Sequence, residues 1–203
     1  MAPRPTVVAF DIIGTASSLE PLRPALTRLG LPAMALDWLY TATLRDTFAR
    51  RDRRFAPLEA VLGGCLDELL ALQGVEADPD RRPAVLGSMA DLPPHHDAGA
   101  AFRIRAQAGI RIVAFDNGGA QATQALLAKA GLERFAARVL PIEDIGLAKR
   151  RPEVTRSAAE ASGVAPGAMA LVATHPWDVH GARSAGLVGA CLADGRPDTP
   201  VLG

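Results

Sequence analysis

Thr6-Val7-Val8-Ala9-Phe10 is a short apolar, β-branched run that leads directly into Asp11-Ile12-Ile13-Gly14-Thr15. A run of this length, ended by a polar turn, reads as a strand buried in a parallel sheet. Asp11 then stands at the strand's carboxyl end, where open parallel sheets hold their ligands. Downstream, the segment to about Leu92 has no comparable strand. Leu22, Leu26 and Leu29 recur at helical spacing, Leu36, Leu39 and Tyr40 continue into Leu44 and Phe48, and Leu58, Val61, Leu62, Leu66, Leu69 and Leu70 form an apolar face. Gly30, Gly74 and Asp78-Pro79 mark the turns between them. The segment reads as an all-helical insert.

After Pro93-Pro94 the pattern alternates. Strands are expected at 110–115, 138–142, 169–173 and 187–191. Helices are expected to end near Ala108 and to span 120–130, 153–162 and 179–185. Strand–helix alternation implies a parallel sheet covered on both faces. The expected fold class is α/β: a Rossmann-like parallel sheet core with an inserted α-helical cap. Residues 1–16 and 93–203 would form the core and 17–92 the cap.

Composition narrows the function. The 203 residues carry 22 Lys+Arg and 22 Asp+Glu, so the chain lacks the basic excess of a nucleic-acid binder. Arg50-Arg51-Asp52-Arg53-Arg54 reads as a solvated helix end, having no interleaved aromatics. No apolar run is long enough to cross a membrane. Cys65 and Cys191 are too far apart for a metal-binding CxxC pair. The first apolar stretch is too short, and an acid follows it too soon, for a secretory signal. A cytoplasmic protein with a small-molecule substrate is expected, with no nucleic acid and no membrane as partner.

The strand ends carry the chemistry. Asp11 ends the first strand and Asp116-Asn117-Gly118-Gly119 the second. Glu143, Asp144 and Lys149 lie in the third connection, and Thr174-His175-Pro176-Trp177-Asp178 follows the fourth. A carboxylate before a small turn can act as a nucleophile, because the turn brings backbone N–H groups near an incoming anion. A nearby lysine keeps such a carboxylate ionised. Asp178 would fix that lysine or position a water, Asn117 would offer its amide to substrate, and His175 would orient substrate or shuttle a proton. His95-His96 reads as a solvated hinge, and Trp38 and Tyr40 as packing residues of the helical segment.

These motifs, Phe10-Asp11-Ile12-Ile13-Gly14-Thr15, Asn117-Gly118, Lys149 and Trp177-Asp178-Val-His-Gly-Ala-Arg-Ser-Ala-Gly186, taken in order, resemble those of the haloacid dehalogenase superfamily, most closely its type II 2-haloacid dehalogenase branch. The resemblance implies a Rossmann-like core under a helical cap and hydrolysis of a small organic acid through an aspartyl-ester intermediate. It implies Asp11 as nucleophile with Lys149 and Asp178 as further catalytic residues. Asp116, Asn117, Thr174, His175 and Trp177 would contact substrate, and a homodimer is expected. Two departures argue against the superfamily's phosphatases. Ile13 stands where they carry a general-acid aspartate, and Thr174 where they carry a metal-ligating one. No cofactor is therefore expected, Mg²⁺ being the less favoured option. The branch's halide-binding cap arginine has no counterpart between Leu36 and Ala42, Arg45 being the nearest. Asp116 replaces a Ser or Thr that would hydrogen-bond the substrate anion. It is expected to repel both an anionic substrate and Asp11. That leaves two alternatives open: a repurposed enzyme using Asp11, Asp116 or His175 as acid/base in an elimination or cyclisation, and a non-catalytic binding module.

Overall fold

The computed structural model describes residues 4–49, 56–76, 80–140, 142–143, 145–149 and 151–192. The charged run at 50–54, the Asp78-Pro79 turn and Asp144 lie outside the described residues. The described part builds one sheet of five parallel strands, β1 (Val7–Phe10), β2 (Arg111–Phe115), β3 (Ala136–Leu140), β4 (Met169–Ala173) and β5 (Val188–Cys191), in the order β3-β2-β1-β4-β5. Every strand pair is parallel. The order reverses at β1, so a crevice opens beyond the carboxyl ends of β1 and its neighbours. Phe10 is level with Ala114 on β2 and Val172 on β4, which brings three strand ends to nearly one height.

Strand alternation divides the core. Val8 and Phe10 face one side with Ile112 and Ala114, whereas Val7 and Ala9 face the other with Val113, Phe115, Met169 and Leu171. The second side packs against α7 (Pro152–Ala161) and α8 (Pro176–Ser184), which contribute Val154, Ala158 and Ala182. The first side is covered by α5 (Ala98–Gln107) and α6 (Ala120–Lys129), with the Phe10 and Phe102 rings 4.4 Å apart.

Between β1 and α5 the described elements are helices joined by turns: α1 (Leu22–Arg28), α2 (Ala35–Ala49), α3 (Leu58–Leu72), α4 (Arg81–Gly87) and a 3₁₀ turn at Ser88–Asp91. The leucines of the helical pattern are its buried side chains. Leu22, Leu26, Leu39, Leu62 and Leu66 belong to the same apolar cluster as Phe10 and Phe102. Each fully buried leucine contributes on the order of 1.5–3 kcal/mol, so this segment is fixed to the sheet face by continuous packing. None of the described helices is long and apolar enough to cross a membrane.

Two elements differ from the sequence reading by more than one residue. β3 starts at Ala136 and ends at Leu140, two residues earlier than expected; Pro141 has no N–H to extend a ladder. α8 begins at Pro176, not Val179. Proline's fixed φ and missing N–H suit the first helical position, and this earlier start places Asp178 in the first turn.

Candidate functional site

Beyond the carboxyl ends of β1, β2 and β4 lies a buried cluster of charged side chains. Asp11, Asp116, Lys149, His175 and Asp178 are each at most 4% exposed. Asp11 is positioned by the strand and by a tight turn after it, in which the N–H groups of Thr15, Ala16 and Ser17 all donate to the Ile12 carbonyl. Gly14 enables that turn with φ +82°.

The Asp11 carboxylate is held from both sides. The Lys149 ammonium donates to Oδ1 and the Thr15 hydroxyl to Oδ2. His175 Nδ1 lies 3.6 Å from Oδ2. Burial alone would push the Asp11 pKa up, but Lys149 and His175 outweigh it and hold the carboxyl far below its ordinary range. Lys149 also donates to the Phe115 carbonyl at 3.0 Å and lies 3.7 Å from Asp178 Oδ2. Burial would lower its pKa, yet the surrounding carboxylates raise it, so the ammonium stays charged.

Asp178 sits less comfortably. Its Oδ2 is 3.7 Å from Lys149 Nζ and 3.8 Å from His175 Nδ1, and its buried Oδ1 has no hydrogen-bond partner among the described residues. Burial, reinforced by the negative charge of Asp11 and only partly opposed by Lys149, pushes its pKa up to about 6. A carboxyl titrating near neutrality is suited to exchanging protons with water.

Asp116 turns its carboxylate onto backbone amides. Oδ2 accepts from the N–H groups of Ile12 (3.0 Å) and Ile13 (2.7 Å), and Oδ1 accepts from that of Gly118 (2.6 Å). Burial and the charge of Asp11 push its pKa up, while Lys149 and the amides pull the other way. The repulsion expected from sequence is thus present, and the three donors offset it only in part. Asn117 borders the inner cavity and also has a structural part. Its side-chain carbonyl accepts from the backbone N–H of Lys149 at 2.8 Å, so it fixes the loop that carries the lysine.

Two cavities meet at this cluster. An inner one of about 10 Å³ is bounded by Asp11, Asp116, Asn117, His175 and Asp178. That is close to the volume one water needs. An outer one of about 550 Å³ is bounded in part by Thr174, His175, Trp177 and the two histidines His95 and His96. His175 stacks on Trp177 with centroids 4.8 Å apart, and Thr174 is tied to the turn through its N–H to Thr15 Oγ1 at 3.1 Å. All eight residues singled out from the sequence therefore converge here. His180 is exposed, and Arg45 is exposed and paired with Asp46 and Glu68.

Tyr40 was missed as a site residue. It borders both cavities, as His175 does, and its hydroxyl donates to the Ile13 carbonyl at 3.3 Å. The sequence signal was slight: one aromatic with a polar tip among the leucines of a helix.

A metal fits poorly. Ligand atoms of Asp11, His175 and Asp178 lie within 4.8 Å of one another. The Lys149 ammonium already occupies Asp11 Oδ1 and faces Asp178. The third donor is an imidazole, which Mg²⁺ disfavours against oxygen.

No family model matches the chain. Over 107 residues it is 22% identical to (S)-2-haloacid dehalogenase 2 of Pseudomonas sp. (strain CBS-3). That match takes in 53% of this chain and 47% of the relative, so it spans about half the length of the curated relative. Among solved structures, a dehalogenase with an intermediate complex superposes with TM-score 0.90 at 20% identity, over 98% of this chain and 90% of the other. The chain has the haloacid dehalogenase fold. L-2-haloacid dehalogenase from Xanthobacter autotrophicus, solved also with chloropropionic acid covalently bound, superposes at 0.82 with 24% identity, over 93% and 78% of the two chains. The resemblance carried by the motifs thus holds for the fold of this haloacid dehalogenase-like chain.

Proposed function

We propose that this chain is a haloacid dehalogenase-like hydrolase in which Asp11 displaces a leaving group, halide being the first candidate, from carbon of a small organic molecule. The observation that carries the reading is the buried Asp11–Lys149 pair at the sheet's switch point. It keeps a carboxylate ionised and desolvated on the inner cavity of about 10 Å³, and its neighbours Thr15 and His175 border the outer cavity of about 550 Å³. A desolvated, oriented carboxylate is a far better nucleophile than one in water. The covalent adduct in the Xanthobacter structure is consistent with this chemistry.

In the first step Asp11 forms a C–O bond as the carbon–halogen bond breaks and halide departs. The product is an ester on Asp11. In the second step, water attacks the ester carbonyl carbon. Its proton passes to Asp178, whose raised pKa and unpaired Oδ1 suit that role, and the ester C–O bond to Asp11 breaks to release an alcohol. Lys149 balances the charge that collects on the Asp11 oxygens, and Thr15 orients them. Overall, R–X and water give R–OH, H⁺ and X⁻. The donor set makes this a metal-independent route, and Ile13 and Thr174 leave a phosphatase route without its second acid and its carboxylate ligand.

A single turnover in ¹⁸O-water tests the reading. Attack of water on the ester places ¹⁸O in the peptide containing Asp11, and Asp11→Asn abolishes product. Direct appearance of ¹⁸O in the first-turnover alcohol, with Asp11 unlabelled, would refute it.

A further inference from the structure

We infer that Asp116 is a specificity-determining residue whose carboxylate fills the site's own anion-binding nest, so that the substrate bears no negative charge at its reacting end. This inference rests on the nucleophilic reading of Asp11, since it concerns what that carboxylate attacks.

Three observations carry it. The N–H groups of Ile12 and Ile13, immediately after Asp11, and of Gly118 point at one place. Converging main-chain donors of this kind form a concavity that takes an anion. Beside the nucleophile, they are where a substrate carboxylate or phosphate would lie. Asp116 already occupies all three, at 3.0, 2.7 and 2.6 Å. The place is tightly closed: a Cβ on Gly118 would come within 2.9 Å of Asp116 Oδ1 and 2.6 Å of Ile13 Cδ1.

Charge supplies the second. Asp11, Asp116 and Asp178 share one buried ammonium, that of Lys149. A substrate anion would join three carboxyl groups that already compete for one ammonium in a medium that screens poorly. The approach supplies the third. The described residues that bound the outer cavity include Glu20, Asp37 and Asp97 and no lysine or arginine; Arg23, outside that lining, pairs with Glu20 at 2.8 Å and with Asp37 at 3.1 Å. The cavity wall thus offers a substrate anion carboxylates and no lysine or arginine to pair with.

The substrate class is therefore a neutral halo-organic molecule, such as a 2-haloamide, in place of the 2-haloacid that the family resemblance implies. The amide and the acid have nearly the same shape, so their ratio isolates charge. Wild-type protein is expected to release chloride from 2-chloropropionamide at least 100-fold more efficiently than from 2-chloropropionate, and Asp116→Ser to shift that ratio at least 100-fold toward the acid. In calorimetry, Asp116→Ser should bind L-lactate at least ten-fold more tightly than wild type does, with no such gain for lactamide. Asp116→Asn, which keeps the volume and removes the charge, should move the same ratios in the same direction and serves if the serine variant does not fold. A wild type that prefers the acid, or variants whose acid-to-amide ratio and lactate affinity match wild type, would overturn the inference. Because the calorimetric arm needs no turnover, failure of both chloro compounds to react counts against the nucleophilic reading alone.

Discussion

Asp178→Asn should stabilise this protein at neutral pH, and by an amount the site itself sets. The Asp178 carboxyl is buried near Asp11 and Asp116, 3.7 Å from Lys149 and 3.8 Å from His175, and its pKa is raised from 3.8 to about 6. At 1.36 kcal/mol per pKa unit, holding it ionised in the native state costs about 3 kcal/mol. The direction with pH follows from proton binding. Below about pH 4 the group is protonated in both folded and unfolded chains and costs nothing. Between about pH 4 and pH 6 the unfolded chain has released its proton while the folded one keeps it, so stability falls as pH rises. Above about pH 6 the full cost is present. Asparagine mimics the protonated form, so the variant should gain about 3 kcal/mol at pH 7.5. For a chain of this size that is roughly 6–12 °C in Tm. Thermal and urea unfolding from pH 4 to pH 8 would measure it. A variant no more stable than wild type at pH 7.5, or one whose advantage persists unchanged at pH 4, would show that Asp178 is not the strained member of the cluster.

The same titration should appear in catalysis. The rate of ester hydrolysis is expected to rise with pH as Asp178 ionises, at a pH below about 6 because the ester removes the Asp11 charge that helps to raise the Asp178 pKa, and Asp178→Asn should abolish that limb and let the Asp11 ester accumulate, as read by intact mass. Lys149→Met removes the one buried cation and should cost about 3–5 kcal/mol in stability, with residual activity displaced to higher pH because Asp11 loses its main stabilising charge. Gly118→Ala should cost about 1–3 kcal/mol, since its methyl would press on Ile13 and Asp116; an unchanged urea midpoint would refute that packing. Halide release should be insensitive to EDTA, and a loss restored by Mg²⁺ would contradict the metal-independent route.

Much of this molecule is legible in the chain because its signals are local. The apolar runs that became β1, β2 and β4 lie within a residue of where periodicity places them, since these central strands are buried on both faces; the exposed edge strand β5 is placed as closely. The helices of residues 22–91 follow their leucine spacing. Asp11, Lys149 and Asp178 are legible because strand ends in such sheets converge. What is not legible depends on direction. Sequence places a second carboxylate at Asp116, and the repulsion with Asp11 follows from that. It cannot show that the side chain turns onto three amides from two different loops. Asn117 reads as a substrate contact, and its bond from the Lys149 N–H, which fixes the lysine's loop, is not visible from the sequence. Tyr40 reads as packing because its partner, the Ile13 carbonyl, is 27 positions away in a separate element.

These features account for how three carboxylates coexist around one lysine. Each is stabilised by a different means, and the means determine what each can do. Asp11 has the ammonium and a hydroxyl, so it is ionised and available. Asp116 has three main-chain donors, which fix both of its oxygens in place, while burial and Asp11 still push its pKa up. That makes it a fixed occupant of the anion nest. Asp178 has the least, a shared approach to Lys149 and one oxygen without a partner, and so it is the carboxyl whose proton can move. Replacing Asp116 with serine would leave the Ile12, Ile13 and Gly118 amides without an acceptor, at about 1–3 kcal/mol for each buried group left unsatisfied. An anionic ligand would relieve that cost on binding. The stability of Asp116→Ser should therefore rise with L-lactate concentration, whereas that of the wild type should not.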